Sequence, residues 1–207
     1  MPVIAIVNPK GGVGKSTVAT NLAGFFAAAR HATMLGDLDR QQSSRGWLAQ
    51  RPASAAPISA WEMDGRAARP PKGVTHVVID TPAQMPVQQL AGVMRGVDKM
   101  LVPMQPSMFD INATAGFLRE LRAAMSDDRR FRSSVGIVGV RVDPRTRAAE
   151  ELGRFVAAAG LPVAGYLRDT QAYVHLAAHG LTVFDLQSAQ MAQDRETWRP
   201  LVDWVVH

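Results

Sequence analysis

Short apolar segments alternate with amphipathic segments along most of this 207-residue chain. Helical patterns cover residues 17–30, 86–95, 111–125, 147–159 and 171–179. Strand-like apolar segments lie at 3–7, 33–35, 76–79, 100–102, 135–140 and, more weakly, 162–167. Strands that alternate with helices indicate βαβ units, and unbroken apolar strands are typical of a sheet covered on both faces. We therefore expect an α/β fold with a mostly parallel, twisted sheet flanked by helices on both faces.

The segment 51–73 interrupts this alternation, because it contains four prolines and scattered alanines. It predicts a surface excursion with a short strand at 58–61, not a domain boundary. Since 207 residues suffice for one sizeable core, residues 1–207 are expected to form a single domain.

The amino-acid composition excludes several structural and functional classes of protein. The 47% hydrophobic content excludes disorder, and the absence of cysteine excludes disulfides, thiolate metal sites and cysteine nucleophiles. No 18-residue apolar run exists, and the first residues lead directly into a predicted strand and a glycine-rich segment, so neither a membrane span nor a signal peptide is expected. We therefore expect a cytoplasmic protein. The net charge is +5, and 19 of the 23 basic residues are arginine, which is compatible with binding to nucleic acid.

A glycine-rich segment follows the first predicted strand and precedes the first predicted helix. This context is typical of a phosphate-binding loop, in which backbone N–H groups and the start of the helix face the phosphates. Lys15 would reach the terminal phosphates, and the Ser16 hydroxyl would bind Mg²⁺. The segment also carries a second lysine, and it consists of Asn8, Pro9, Lys10, Gly11, Gly12, Val13, Gly14, Lys15, Ser16 and Thr17.

Carboxylates stand at the ends of two further predicted strands. Asp37 and Asp39 follow the second strand, where ligands bind in open α/β sheets. They can orient an attacking water or hold metal-bound waters. Asp80 ends the apolar segment 77–79, as in a Walker B motif whose carboxylate holds Mg²⁺. Together the three motifs predict a site for the phosphates of a nucleotide and for Mg²⁺.

These three motifs resemble the ParA/MinD family of P-loop ATPases with a deviant Walker A motif, and most of all its small ParF-type plasmid-partition members. The resemblance extends from residue 1 to about residue 185. It implies weak, partner-stimulated ATP hydrolysis, with Lys10, Lys15 and Asp39 as catalytic residues and Ser16, Asp37 and Asp80 at the metal. It assigns nucleotide contacts to Lys10, Gly11, Gly12, Val13, Gly14, Lys15, Ser16, Thr17 and Pro106.

The resemblance also implies partners. Lys10 would cross a twofold axis to the nucleotide of a second subunit, so the homodimer would depend on ATP. The dimer would bind nucleoid DNA without sequence preference, through Arg145 and Arg168, and it would segregate or position a plasmid or another DNA cargo. A ParB-like or adaptor protein would stimulate hydrolysis.

Three alternatives share the same nucleotide site. A MinD-like protein would attach to membranes through a C-terminal helix, but Pro200 is expected to limit that helix, and its packing on the domain is the favoured interpretation. No stable membrane association is therefore expected. A second alternative positions carboxysomes or protein clusters, and a third is a small-molecule P-loop ligase.

Two local expectations concern the middle of the chain. Asp110 is predicted to cap a helix that begins near Ile111. The arginine-rich stretch 129–132 is predicted to be a solvated turn after that helix.

Overall fold

Seven parallel strands form one twisted sheet in the computed structural model, which describes residues 2–61, 71–94 and 96–207. In spatial order the sheet reads β3-β2-β4-β1-β5-β6-β7. The strands are β1 (Val3–Ile6), β2 (Thr33–Asp37), β3 (Ile58–Trp61), β4 (His76–Asp80), β5 (Lys99–Met104), β6 (Val135–Val140) and β7 (Val163–Leu167). The predicted α/β fold is confirmed, and all the pairings are parallel.

Helices connect the strands and cover both faces of the sheet. They are α1 (Lys15–Ala28), α2 (Ser43–Ala49), α3 (Val87–Met94), α4 (Met108–Met125), α5 (Asp128–Ser134), α6 (Arg147–Ala158), α7 (Ala172–Ala177) and α8 (Ala189–Val206). The last residue of the helix predicted at 86–95, and residues 62–70 of the predicted excursion, lie outside the described residues.

Two hydrophobic cores lie on opposite faces of the sheet. Within β1, Val3 and Ala5 belong to the core under α3, α4, α5 and α6, whereas Ile4 and Ile6 belong to the core under α1, α2, α7 and α8. Because side chains alternate along a strand, a strand buried on both faces needs apolar residues at consecutive positions. This explains the unbroken apolar run at the start of the chain.

The chain changes direction across the sheet at β1, which pairs with β4 on one side and with β5 on the other. In open parallel sheets, a ligand crevice forms beyond the carboxyl ends of the strands at such a point. The glycine-rich loop follows β1 directly and therefore lies in this crevice.

Two helices were not predicted. Helix α2 has no periodic pattern of apolar residues that would predict it, because this seven-residue helix buries only Ser44 and Trp47. The sequence just before it predicts only a carboxylate motif. The stretch predicted as a solvated turn at 129–132 belongs to α5. The Asp127 carboxylate accepts a hydrogen bond from the backbone N–H of Arg130, and Phe131 is buried, so a helix forms there.

The expectation that Pro200 limits the C-terminal helix is wrong. Helix α8 continues through Pro200 to Val206, although proline has no N–H to donate to the preceding turn. Trp198 and Leu201 are fully buried on either side of the proline, and their packing compensates for the missing hydrogen bond.

Candidate nucleotide-binding site

The loop between β1 and α1 has the shape of a phosphate-binding loop. Gly12 and Gly14 have φ values of 75° and 92°, a left-handed region that favours glycine. The Asn8 side chain shapes the start of the loop: its Oδ1 accepts the backbone N–H of Lys10 at 2.8 Å, and its Nδ2 donates to the Pro103 carbonyl at 2.8 Å. The loop is therefore anchored to the end of β5.

Lys15 is almost fully buried at the base of this loop. Its Nζ donates a hydrogen bond to the Lys10 carbonyl oxygen at 2.9 Å. Burial lowers the pKa of Lys15, while the nearby Asp80 and Asp39 carboxylates act in the opposite direction. The structure thus brings Lys15, Asp39 and Asp80 close to one another.

A cleft of about 490 Å³ opens above the loop. Its wall includes Asp39, and on the opposite side it includes Arg141, which follows β6. No motif in the sequence predicted that Arg141 would line this cleft. The remaining wall residues are Gly11, Gly12, Gly14, Lys15, Ser16, Thr17, Gln41, Ser43 and Ala83.

Asp37 and Asp80 lie side by side, because their strands pair with these two residues in register. The Asp37 carboxylate accepts two backbone N–H groups, from Asp39 at 2.9 Å and from Arg45 at 3.0 Å. Asp37 therefore also fixes the path of the chain between β2 and α2.

Asp80 is only 1% exposed, and its two oxygens differ. Oδ2 accepts a hydrogen bond from the Ser44 hydroxyl at 2.6 Å, whereas Oδ1 is buried without a hydrogen bond from any residue that the structure describes. Burial raises the pKa of Asp80 to about 6, the Asp37 charge adds to this, and the hydroxyls of Ser44 and Ser16 and the Lys15 charge oppose it.

These residues fit a magnesium ion. Mg²⁺ prefers hard oxygen ligands and takes one or two carboxylates together with phosphate oxygens and waters. The buried Asp80 Oδ1 and the neighbouring Ser16 hydroxyl offer such oxygens beside the phosphate loop.

Lys10 lies at the outer end of the loop, where its side chain pairs with a residue of the same chain. Its Nζ forms an ion pair with Asp110 Oδ1 at 2.8 Å; the Lys10 side chain is 40% exposed and that of Asp110 only 4%. The predicted capping role of Asp110 is wrong. The helix begins at Met108, Ser107 is its N-cap and accepts the backbone N–H of Asp110, and Asp110 lies in the first turn, facing Lys10.

The Pro-rich loop after β5 also contacts the phosphate loop. The Gln105 side chain donates to the Gly12 carbonyl oxygen at 3.1 Å. Pro106, by contrast, lines a neighbouring concavity of about 630 Å³ and not the cleft. Val13 is buried below the loop, so it contributes packing and a backbone N–H.

The two arginines proposed for DNA line that same neighbouring concavity, together with Arg141. The Arg145 side chain is 88% exposed and pairs with Asp143 at 2.8 Å. Arg168 is less available for contact with a DNA phosphate, because its guanidinium pairs with the buried Asp194 at 2.8 Å.

The chain's own packing covers the apolar side of α8. Trp198, Leu201 and Val205 belong to the core of that face of the sheet, as the sequence analysis favoured. Among the described residues, no helix combines the length and apolarity that crossing a membrane requires.

Comparison with known families decides the affiliation. Residues 4–183 match the family described as the CobQ/CobB/MinD/ParA nucleotide binding domain. The chain belongs to this family. The predicted ParA/MinD affiliation is thus confirmed, and the crevice beyond β1 lies in a nucleotide-binding domain.

Curated members of the MinD/ParA family resemble most of the chain. The maintenance of carboxysome distribution protein A of Gloeobacter kilaueensis is 29% identical over 206 residues, which is 97% of this chain and 92% of that protein. The chromosome-partitioning ATPase Soj of Thermus thermophilus is 27% identical over 185 residues, 72% of this chain and 73% of Soj.

Solved structures confirm the fold. A protein of Borrelia burgdorferi B31, described as a plasmid partition protein and bound to AMPPNP, superposes with a TM-score of 0.71, at 13% identity and 98% coverage of both chains. The MinD protein of Pyrococcus horikoshii, complexed with Mg-ADP, gives 0.64 at 12% identity and covers 99% of this chain and 94% of its own.

Proposed function

We propose that this protein is a ParA-type ATPase that binds Mg·ATP, dimerises around two nucleotides, associates with DNA without sequence preference, and positions a cargo with a partner protein. The observation that carries the proposal is that Asp39 and Asp80 both lie near the buried Lys15, at the base of a left-handed glycine loop with a second lysine at its outer end. The AMPPNP and Mg-ADP of the superposed proteins support the choice of ligand.

Within the cleft, each group has a distinct task. Lys15 exchanges the Lys10 carbonyl for oxygens of the β- and γ-phosphates, where its charge offsets theirs. Asp39 orients the water that attacks the γ-phosphate. Mg²⁺, when bound with ATP, neutralises charge on the phosphate oxygens, and Ser16 and Asp80 hold it, with Asp37 beside them.

Lys10 is the group that would make dimerisation depend on ATP. Its ion pair with Asp110 holds it within its own chain, so reaching a second subunit requires this pair to open. The phosphates of the partner subunit would replace Asp110 as the counter-charge. When hydrolysis removes the γ-phosphate, part of that charge is lost, and the dimer dissociates.

Lys10→Ala tests this role. We expect AMPPNP affinity to persist while the AMPPNP-dependent increase in mass, measured by light scattering, is lost. Lys72→Ala is a matched control, because Lys72 is exposed before β4, at the opposite end of the sheet from the cleft. A Lys10→Ala chain that dimerises like the wild type would remove Lys10 from the interface.

The concavity lined by Arg141, Arg145 and Arg168 is the surface we propose for DNA. Contacts to phosphates carry no sequence information, so affinity should be similar for all duplexes. It should also fall steeply with salt, since each neutralised phosphate releases about 0.9 counter-ion.

Arg145→Ala is the sharper DNA test. We expect it to weaken binding to every duplex and to reduce the salt slope by about one. Arg122→Ala is the matched control, because Arg122 is also an exposed arginine paired with an exposed aspartate, Asp128. Arg168→Ala needs a folding control, since it leaves the buried Asp194 without its ion pair. Equal binding by Arg145→Ala and wild type would refute this surface.

The cargo has two candidates within this function. The curated relative named as a carboxysome distribution protein favours a protein cargo such as a carboxysome. The ParF-like opening motif favours a plasmid. The neighbouring genes discriminate between them: shell-protein genes support the carboxysome, and a small DNA-binding adaptor supports the plasmid. In either case the partner should stimulate hydrolysis.

Two alternatives give opposite results in the same assays. A membrane-associated ATPase would sediment with anionic liposomes in its ATP form and ignore DNA. The buried apolar residues of α8 argue against that outcome. A small-molecule ligase would consume ATP in the presence of its substrate, without forming a nucleotide-dependent dimer.

A further inference from the structure

One hydroxyl near the site has no role in the function proposed so far. Ser44 lies in the first turn of α2, where it is completely buried. Its Oγ donates a hydrogen bond of 2.6 Å to Asp80 Oδ2, across 36 positions of the sequence. No motif in the sequence singles out this serine.

The start of α2 is thereby fastened to two strands. The Ser44 hydroxyl ties it to Asp80 at the end of β4, and the Arg45 backbone N–H ties it to Asp37 at the end of β2. Since Asp37 and Asp80 are register partners, both attachments lie at the same edge of the sheet. The loop that carries Asp39 runs between these anchors.

The hydrogen bond also makes the two oxygens of Asp80 unequal. Oδ2 is occupied by Ser44, so the carboxylate cannot rotate without losing this bond, and Oδ1 is left buried with no hydrogen bond from the described part of the chain. An unpartnered buried carboxylate oxygen is costly, and such groups in native proteins commonly await an ion or water.

We propose that Ser44 is a positioning residue for the magnesium ion of bound Mg·ATP, an inference that rests on the nucleotide function proposed above. By holding Oδ2, it presents Oδ1 toward the metal, and through α2 it couples metal binding to the loop that bears Asp39. Residues that orient a metal-binding carboxylate in this way affect metal affinity although they do not touch the metal.

The test separates metal affinity from nucleotide affinity. A fluorescent AMPPNP analogue is titrated first in EDTA and then at rising Mg²⁺, with wild type and Ser44→Ala. We expect unchanged affinity in EDTA and an increase of about tenfold in the Mg²⁺ concentration at half-saturation. Ser44→Cys, which nearly keeps the volume but replaces a strong donor with a weak one, should shift it in the same direction.

Ser134→Ala is the matched control. Ser134 is also buried, and its hydroxyl donates a 2.6 Å hydrogen bond, but to the Arg130 carbonyl within α5. It should leave the Mg²⁺ dependence unchanged. Three outcomes would overturn the inference about Ser44 and leave the proposed nucleotide function standing. They are an unchanged Mg²⁺ concentration at half-saturation in both Ser44 variants, an equal shift in Ser134→Ala, and a loss of AMPPNP affinity in EDTA in the Ser44 variants. A wild-type chain that binds no AMPPNP overturns the proposed function as well.

Discussion

In the metal-free protein, the ionised Asp80 carboxylate is expected to lower the free energy of unfolding. Asp80→Asn should recover part of that loss. Burial raises the pKa of this carboxyl from 3.8 to about 6. Each pH unit between the folded and unfolded pKa corresponds to about 1.4 kcal/mol. Above pH 6 the ionised carboxylate therefore destabilises the folded state by about 3 kcal/mol, relative to an unshifted group.

Asparagine removes the charge and keeps the shape. Its amide oxygen still accepts the Ser44 hydroxyl, and its NH₂ group replaces the unpartnered Oδ1. A buried amide without a full set of partners costs about 1–3 kcal/mol, so the net gain expected at pH 7.5 lies between zero and about 2 kcal/mol. The same change should abolish the Mg²⁺ dependence of AMPPNP binding.

The pH dependence of this gain identifies its cause. The folded state binds the Asp80 proton more tightly than the unfolded state, so this group's contribution to stability falls as pH rises from about 4 to 6. His76 acts in the opposite direction over a similar range, because burial and the nearby His31 lower its pKa from 6.5 to about 4. The difference between variant and wild type isolates Asp80, since His76 is common to both.

Urea unfolding in EDTA, followed by tryptophan fluorescence, measures the difference. The gain should be largest above pH 7 and should turn into a loss near pH 4, where the carboxyl is protonated and only the cost of the buried amide remains. Asp185→Asn is the contrasting variant, because this buried carboxylate has an ion-pair partner in Arg51 at 2.7 Å and should lose stability. If Asp80→Asn destabilises the protein at pH 7.5, or if its effect is independent of pH, the reasoning fails.

Three further predictions concern the site and the fold. Lys15→Ala should abolish binding of the fluorescent AMPPNP analogue, because the phosphates lose their buried counter-charge; undiminished affinity would mean that the loop is not the nucleotide site. Asp39→Ala should slow ATP hydrolysis, measured by phosphate release, while AMPPNP binding persists; a wild-type rate would exclude Asp39 from the chemistry. Arg51→Met should lower the free energy of unfolding by about 3 kcal/mol, since it leaves the buried Asp185 without its ion pair, whereas Arg122→Met, at an exposed pair, should lower it far less. Equal losses in the last two would show that burial of the pair is not the cause.

Most of the fold, and the residue types that line the cleft, could be predicted from local sequence patterns. The strand at 135–140 agrees with β6 at both ends, because doubly buried strands need consecutive apolar residues. Lys15, Asp39 and Asp80 were recognisable because each lies at or after the carboxyl end of a strand, and the carboxyl ends of parallel strands meet at one edge. A short-range sequence pattern is sufficient to predict the position of a residue wherever that position is set by the residue's own strand or loop.

Only the tertiary structure showed the partners that cross the chain. Asp110 resembled a helix cap, yet it faces Lys10, 100 positions earlier, because β1 and β5 are neighbours in the sheet. Ser44 carries no signal at all, since its meaning comes from the pairing of β2 with β4. Pro200 predicts a helix end from its missing N–H, but burial of the residues around it outweighs that loss. The sequence therefore determined most of the elements and placed the candidate site residues at the carboxyl ends of the strands, and long-range packing decided which side chains hold one another in place.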